Sequence, residues 1–189
     1  MIFETIVIST NAQNQPHIAP FGVRVENDVV IISPYRPSTT LNNFLITKTA
    51  TLNLTDDVRV FAGALTGRRD WPMLPASHIK GFRLANTLAH YELSLVNVVD
   101  DAIRPTLHFK IENTENHTPF KGFNRAQAAV IELCVLVSRL DRLPMDKIEA
   151  EMQYLQIAIK KTAGEQELEA WSWLEQHIAA YKQRNIGVK

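Results

Sequence analysis

Apolar and polar residues alternate with a period of two over much of the first part of this chain, and with a helical period over the last third. FETIVIS, beginning at Phe3, is rich in β-branched residues and predicts a strand, and TNAQNQP supplies turn chemistry. In HIAPFGVRVE, Ala19, Phe21, Val23 and Val25 share one face of a second strand. Asn27-Asp28 predicts a tight turn into VVIIS and hence a hairpin. Residues 38–47 have the spacing of a short helix, and ATLNLT reads as another strand. DDVRVFAGALTG reads as a second short helix, with Asp56 and Asp57 favourable to its N-terminal dipole and Gly67 at its end. RRDWPMLPASHIKG reads as a loop. HYELSLVNVVDD and RPTLHFKIEN then alternate cleanly, Leu107, Phe109 and Ile111 against Thr106, His108 and Lys110. They predict two long antiparallel strands.

The pattern changes after NTENHTPFKGF, which reads as a linker. NRAQAAVIELCVLVSRL places Ala126, Ala129, Val130, Leu133, Val137 and Leu140 on one helical face. A second helix carries Ile148, Met152, Leu155 and Ile159 and stops at Gly164; a third carries Leu168, Trp171, Leu174, Ile178 and Tyr181. Of the nine prolines only Pro144 lies beyond residue 120. The expected fold class is therefore mainly β plus α. It combines a small barrel, rather than a doubly wound parallel sheet, over residues 1–115 with a three-helix annex over 120–189.

Composition narrows the function classes. The 20 basic and 20 acidic side chains cancel, so the chain lacks the basic footprint of a nucleic-acid binder. No run is apolar and long enough to span a bilayer, since Glu132 interrupts QAAVIELCVLV. MIFETIVIS has neither the basic region nor the cleavage site of a signal peptide, and a cytoplasmic protein is expected. Cys134 is the one cysteine. It can form no intramolecular disulfide and reads as a small buried hydrophobe.

Most catalytic signatures are absent: there is no Gly-rich dinucleotide loop, no phosphate loop ending in G-K-S/T, no H-E-x-x-H and no G-x-S-x-G. The six histidines show no ligand spacing, and His90 with His108 reads as a cross-strand pair, so no metal site is expected. Asp56-Asp57 and Asp100-Asp101 read as capping and turn residues. Two segments stand out. Pro20 and Gly22 both weaken a strand interior, and their alternation puts Pro20, Gly22 and Arg24 on one face. That face is either a bulged edge or a bare platform for a flat ligand. Residues 34–44, PYRPSTTLNNF, put Arg36 two residues ahead of Ser38, Thr39 and Thr40 at a helix start. That arrangement suits an ordinary cap or a phosphate cradle equally.

The order of ETIVIST, the A-P-x-G-V strand at Ala19–Val23, R-P-S-T-T-x-N-N, A-T-L-N-L-T-D-D-V and FNRAQAAVIELCVLVSRL resembles the DUF447 family. That family belongs to the FMN-binding split-barrel group, related to flavin reductases and pyridoxamine-phosphate oxidases. The resemblance implies a homodimer that binds FMN near the subunit interface. By position, Arg36, Ser38, Thr39 and Thr40 would hold the phosphate. Pro20, Phe21, Gly22 and Val23 would lie along the isoalloxazine, and Arg24 would favour its reduced, anionic form. Asn43 and Asn53 would reach the ribityl chain. Trp71 would cover the ring or serve as a buried anchor. The implied function is a flavin-dependent oxidoreductase with no identified catalytic residue, associated with tetrahydromethanopterin-type one-carbon metabolism. The alternatives are a flavin-binding module without turnover and a structural dimer.

Overall fold

The computed structural model describes residues 1–186, so the last three residues of the expected helical domain lie outside the described residues. The chain forms two compact units. One comprises residues 1–55 and 70–120; the other comprises residues 56–69 and the chain from Lys121 onward.

The first unit is built on a closed antiparallel barrel. Its strands are β1 (Phe3–Thr10), β2 (Pro16–Glu26), β3 (Val29–Ile32) and β4 (Thr49–Leu54), followed after β5 (Met73–Pro75) and β6 (Phe82–Leu84) by β7 (Ala89–Val99) and β8 (Thr106–Asn116). Around the barrel the order is β1-β2-β3-β8-β7-β4, and β5 and β6 form a separate two-stranded sheet. The β2–β3 turn has Asn27 and Asp28 at φ 49° and 61°. Both residues at positive φ make the twist that joins two strands tightly, and Asn and Asp tolerate it.

Alternation fills the interior. Val7, Val23, Val30, Ile32, Leu52, Leu93, Leu107 and Phe109 point inward and form one cluster. Helix α1 (Thr39–Thr47) contributes Leu41 and Phe44 to that cluster. The Phe44 ring meets Phe109 edge-on, with centroids 4.9 Å apart at 68°, a favoured aromatic geometry. Ser38 caps α1, its Oγ accepting from the Leu41 N–H at 3.2 Å, and Lys48 ends it in the left-handed conformation at φ 60°.

The second unit contains α2 (Arg59–Thr66), α3 (Arg125–Val137), α4 (Met145–Thr162) and α5 (Glu165–Ile186). The expected faces are buried at Ala126, Ala129, Val130, Leu133, Val137, Ile148, Ile159, Trp171, Leu174 and Ile178, whereas Leu168 is exposed. Asn124 caps α3 by accepting from the N–H groups of Ala126 and Gln127. Helix α2 joins this unit from the middle of the chain. Arg59 bonds Asp57 at 2.7 Å and Glu169 at 3.1 Å, and Arg68 lies 4.6 Å from the ring centre of Trp173. Cys134 is buried, and desolvation pushes its thiol up to about 12, so it packs as an uncharged hydrophobe.

Two outcomes test this packing. Phe44→Ala removes the aromatic anchor between helix and barrel and is expected to cost about 3–5 kcal/mol in urea unfolding. Cys134 should resist a thiol reagent at pH 8 in native buffer and react fully once the chain is unfolded.

Candidate functional site

The bare strand face lies on β2, which lacks a strand partner along part of one flank. β2 pairs with the whole length of β1, from Phe3↔Val23 to Thr10↔Pro16. On its other side it meets β3 only through Arg24, Val25 and Glu26, because β3 is four residues long. Among the described residues no strand pairs with that flank of β2 from Pro16 to Val23. Pro20 is tolerated here because a residue without an N–H costs nothing where no ladder continues. Val23 points into the core and Phe21 packs against it, so both give only main chain to the outer surface. Gly22 and Arg24 face outward.

Outside Gly22 lies a cleft of about 240 Å³, lined also by Ile2, Arg24, Ile31, Ser33, Arg104 and Thr106. A Cβ on Gly22 would come within 2.9 Å of Ile2 Cγ2 and 3.3 Å of Glu4 Oε1. Arg104 is fixed at the rim: its Nε donates to the Ser33 carbonyl at 2.9 Å, and its guanidinium sits 4.9 Å from the Tyr35 ring centre. Arg24 is more loosely held, 3.9 Å from the Glu26 carboxylate. His108, opposite Ile31 in the β3–β8 register, has a buried Nδ1 without a hydrogen-bond partner.

The segment after β3 leads from Ser33 to Arg36. The Arg36 N–H donates to the Ile103 carbonyl at 2.8 Å, its Nε to the Asp101 carbonyl at 3.1 Å, and its guanidinium to Asp100 at 2.7 Å. Asp101 accepts from the N–H groups of Ile103 and Arg104, the turn role expected of it. Of the three hydroxyl residues, Ser38 caps α1, Thr39 is exposed and Thr40 is buried.

Three expected ligand residues sit inside the fold. Thr40 is 2% exposed, Asn43 4% and Asn53 0%. Asn43 donates to Ser9 Oγ at 3.0 Å. Asn53 donates to the Ile6 carbonyl and to Thr51 Oγ1 and accepts from the Leu84 N–H at 2.9 Å. Three of the four hydrogen bonds that its carboxamide can make therefore go to internal partners. Trp71 is half-buried ahead of β5.

A second polar centre was missed by sequence reasoning. The segment 76–84 lies across the outer faces of β4 and β7 as a strap, tied by side chains. Thr49 and Thr51 donate to the carbonyls of Lys80 and Phe82, at 3.0 and 2.6 Å. Glu92, with its side chain fully buried, accepts from the N–H groups of Ser77, His78 and Ile79, from Ser77 Oγ and from Asn113 Nδ2, at 2.7–3.3 Å. Burial pushes this carboxyl up, but the donors of Ser77, His78 and Ile79 outweigh it and hold it at about 2, against an ordinary 4.5.

Beside Glu92, His90 does not pair with His108, as its alternation suggested. The register sets His90 opposite Glu115, and His108 opposite Asn97. His90 Nδ1 instead lies 2.9 Å from His117 Nε2, with the rings stacked at 12°. The residues read as the start of the linker are strand as far as Asn116. The available signal was H-x-E at 90–92 and E-x-H at 115–117, which two antiparallel strands bring onto one face.

The model of the family described as protein of unknown function (DUF447), N-terminal domain, matches residues 3–118, and the remaining DUF447 model matches residues 124–176. The chain belongs to the DUF447 family. No curated protein matches it. Among solved structures it is similar to an FMN-bound DUF447 protein from Methanosarcina mazei, at 17% identity and TM-score 0.79, covering 93% of this chain and 94% of that one. It is also similar to 2-nitrobenzoate 2-nitroreductase from Pseudomonas fluorescens, at 17% identity and TM-score 0.53 over 60% of this chain and 64% of that one. A third is nitrilotriacetate monooxygenase component B from Mycobacterium thermoresistibile, at 15% identity and TM-score 0.54 over 62% and 70%. These likenesses carry the barrel fold. Among the described residues, no helix is long and apolar enough to cross a membrane.

The Glu92 clasp makes a signed prediction. A carboxyl held below its ordinary value contributes its full stability above about pH 4.5 and loses it as pH falls towards 2. Glu92→Gln should cost about 2–3 kcal/mol at pH 7. Urea titrations of the variant from pH 5 to pH 2 should show a shallower loss than those of the parent chain.

Proposed function

We propose that this protein binds FMN with its ring against the outer face of β2 and its phosphate at the start of α1, and acts as a flavin-dependent oxidoreductase. The observation that carries the reading is the unpaired flank of β2 beside a cleft that a side chain at Gly22 would narrow. A flat heteroaromatic ring with a polar edge fits such a place, since main-chain groups approach it without an intervening side chain. The FMN-bound relative with a matching fold over nearly the whole chain supports the choice of ligand.

The residues fit that ligand in kind. Arg24 and Arg104 put positive charge at the cleft, and Ser33 and Thr106 add hydroxyls. Arg36, Ser38 and Thr39 would receive the phosphate, using a guanidinium, a hydroxyl and the positive end of a capped helix. Pro20 to Val23 would orient the ring through main-chain groups. The cleft lining includes no carboxylate, cysteine or histidine. This agrees with a site in which the bound flavin supplies the hydride or electron chemistry and the chain supplies orientation and charge. His108 Nδ1 lies buried and unpartnered on β8, opposite Ile31 of the cleft lining. The link to tetrahydromethanopterin-type one-carbon metabolism rests on the family resemblance alone.

Exposed apolar side chains support self-association. Ile2, at the cleft, and Phe3, Val25, Tyr35, Val96, Val99 and Ile103 elsewhere are exposed. Exposed apolar groups favour a partner that covers them, here a second copy of the chain.

The purified protein should be yellow, or become so after mixing with FMN and desalting. A chain that stays colourless in both conditions would remove this function. Arg36→Ala combined with Thr39→Ala should weaken FMN by about 2–4 kcal/mol in a fluorescence titration. Gly22→Val should abolish ring binding with the circular dichroism spectrum unchanged. Anaerobic bleaching by NADH or NADPH would identify turnover; a yellow protein that no reductant bleaches would be a flavin-binding module. Light scattering should give the mass of a dimer, and Ile103→Asp that of a monomer.

A further inference from the structure

We propose that His90, Glu115 and His117 form a site for one divalent transition cation of the zinc type, with Glu92 as the positioning carboxylate behind His90. The site needs no flavin and stands independently of the function proposed above.

The atoms that would hold the ion already converge. One nitrogen each from His90 and His117 and one carboxylate oxygen from Glu115 lie within 4.8 Å of one another. His90 Nδ1 and His117 Nε2 are 2.9 Å apart. Two nitrogens bound tetrahedrally at about 2.0–2.1 Å stand about 3.3 Å apart, so opening the pair by a few tenths of an ångström admits the ion. A fourth position is left for water.

The group behind the site sets the protonation that a ligand needs. Glu92 Oε1 lies 3.4 Å from His90 Nε2. An acceptor oxygen at that place favours the tautomer with the hydrogen on Nε2 and leaves the Nδ1 lone pair facing His117. A carboxylate behind a histidine, with the metal at the other ring nitrogen, is a recurrent support for metal-bound histidine. His90 is 1% exposed, and its ring cannot turn away without breaking this arrangement.

Charge supplies the independent argument. Glu92 and Glu115 both accept from the Ser77 hydroxyl, at 2.8 and 3.0 Å, and from Asn113 Nδ2, at 3.3 and 3.1 Å. Their other hydrogen-bond donors among the described residues are backbone N–H groups and the His90 ring. Two carboxylates thus share one hydroxyl with no lysine or arginine bonded to either; the cation that acts on His90 is Arg83, whose guanidinium donates to the Leu84 carbonyl instead. A dication between His90, His117 and Glu115 would offset the remaining negative charge, and imidazole with carboxylate is a donor set suited to zinc. The other acidic group at the site, His78 with Glu92 and Glu115, offers an exposed histidine and a Glu92 already filled by N–H donors, which favours the His90 side.

The full-length protein, stripped with EDTA and dialysed, would be titrated with zinc chloride alone by calorimetry, with bound metal measured by mass spectrometry. The expected result is one zinc per chain and a melting temperature that rises with zinc concentration. Cobalt should give the visible spectrum of a four-coordinate ion. His117→Ala and Glu115→Gln should each bind zinc at least tenfold more weakly and lose the thermal shift, whereas His177→Ala should behave as the parent chain. A parent chain that takes up no zinc overturns the proposal. So does a folded His117→Ala that binds as tightly as the parent. Should His117→Ala fail to fold, Glu115→Gln and the cobalt spectrum decide by the same criteria.

Discussion

A barrel closes only when each strand is hydrogen-bonded on both sides, and here the strand that must complete β2 is four residues long. β3 reaches Arg24, Val25 and Glu26 and stops, so the barrel closes through a short ladder and, among the described residues, the flank of β2 from Pro16 to Val23 has no strand partner. Much of the candidate site follows from that shortfall. Proline is admissible in β2 only where no neighbour needs its N–H. Glycine at position 22 leaves room for Ile2 and Glu4, which a Cβ would meet at 2.9 and 3.3 Å. Arg24 and Arg104 then line the cleft with Ile2, Ile31, Ser33 and Thr106. The core does not suffer, because α1 brings Leu41 and Phe44 into the same cluster as the inward-facing strand residues.

Elsewhere on the same barrel the outer face is closed by different means. Strands β4 and β7 carry polar residues at outward positions, and each is matched to main chain of the strap. Thr49, Thr51, Asn53 and Glu92 do the work that ladder hydrogen bonds do in a regular sheet. Burying an ionised carboxylate is tolerable because several N–H groups converge on it. One barrel therefore shows a flank without a strand partner and a covered flank held by its own side chains.

The sequence made the barrel legible because two-residue alternation is strong in β7 and β8 and because Asn27-Asp28 is a turn pair with a physical reason. It made Pro20, Gly22 and Arg24 legible as an exposed face, since alternation alone assigns faces. It could not rank the hydroxyls of Ser38, Thr39 and Thr40, because which one caps and which is buried depends on the angle at which α1 enters the core. It did not show the burial of Asn53, whose partners include groups of β1 and β6, far away in sequence. The His90 pairing was hidden for the same reason. Register, including two bulges between β7 and β8, decides which histidine meets which carboxylate, and alternation does not contain register.

The place of α2 has a consequence for how the chain must be made. Residues 56–69 belong with a unit whose other helices begin after residue 121, so the polypeptide passes between units three times. Val60, Phe61, Ala62 and Ala64 are buried in the finished protein, and α2 finds its partners in α3 and α5. During synthesis from the N-terminus, those side chains leave the ribosome well before the helices that cover them. The barrel strands can be complete while α2 still waits with its apolar side in water. A chain cut after residue 120 would lack α3 and α5, the partners of α2, and would tend to aggregate through the apolar residues they cover.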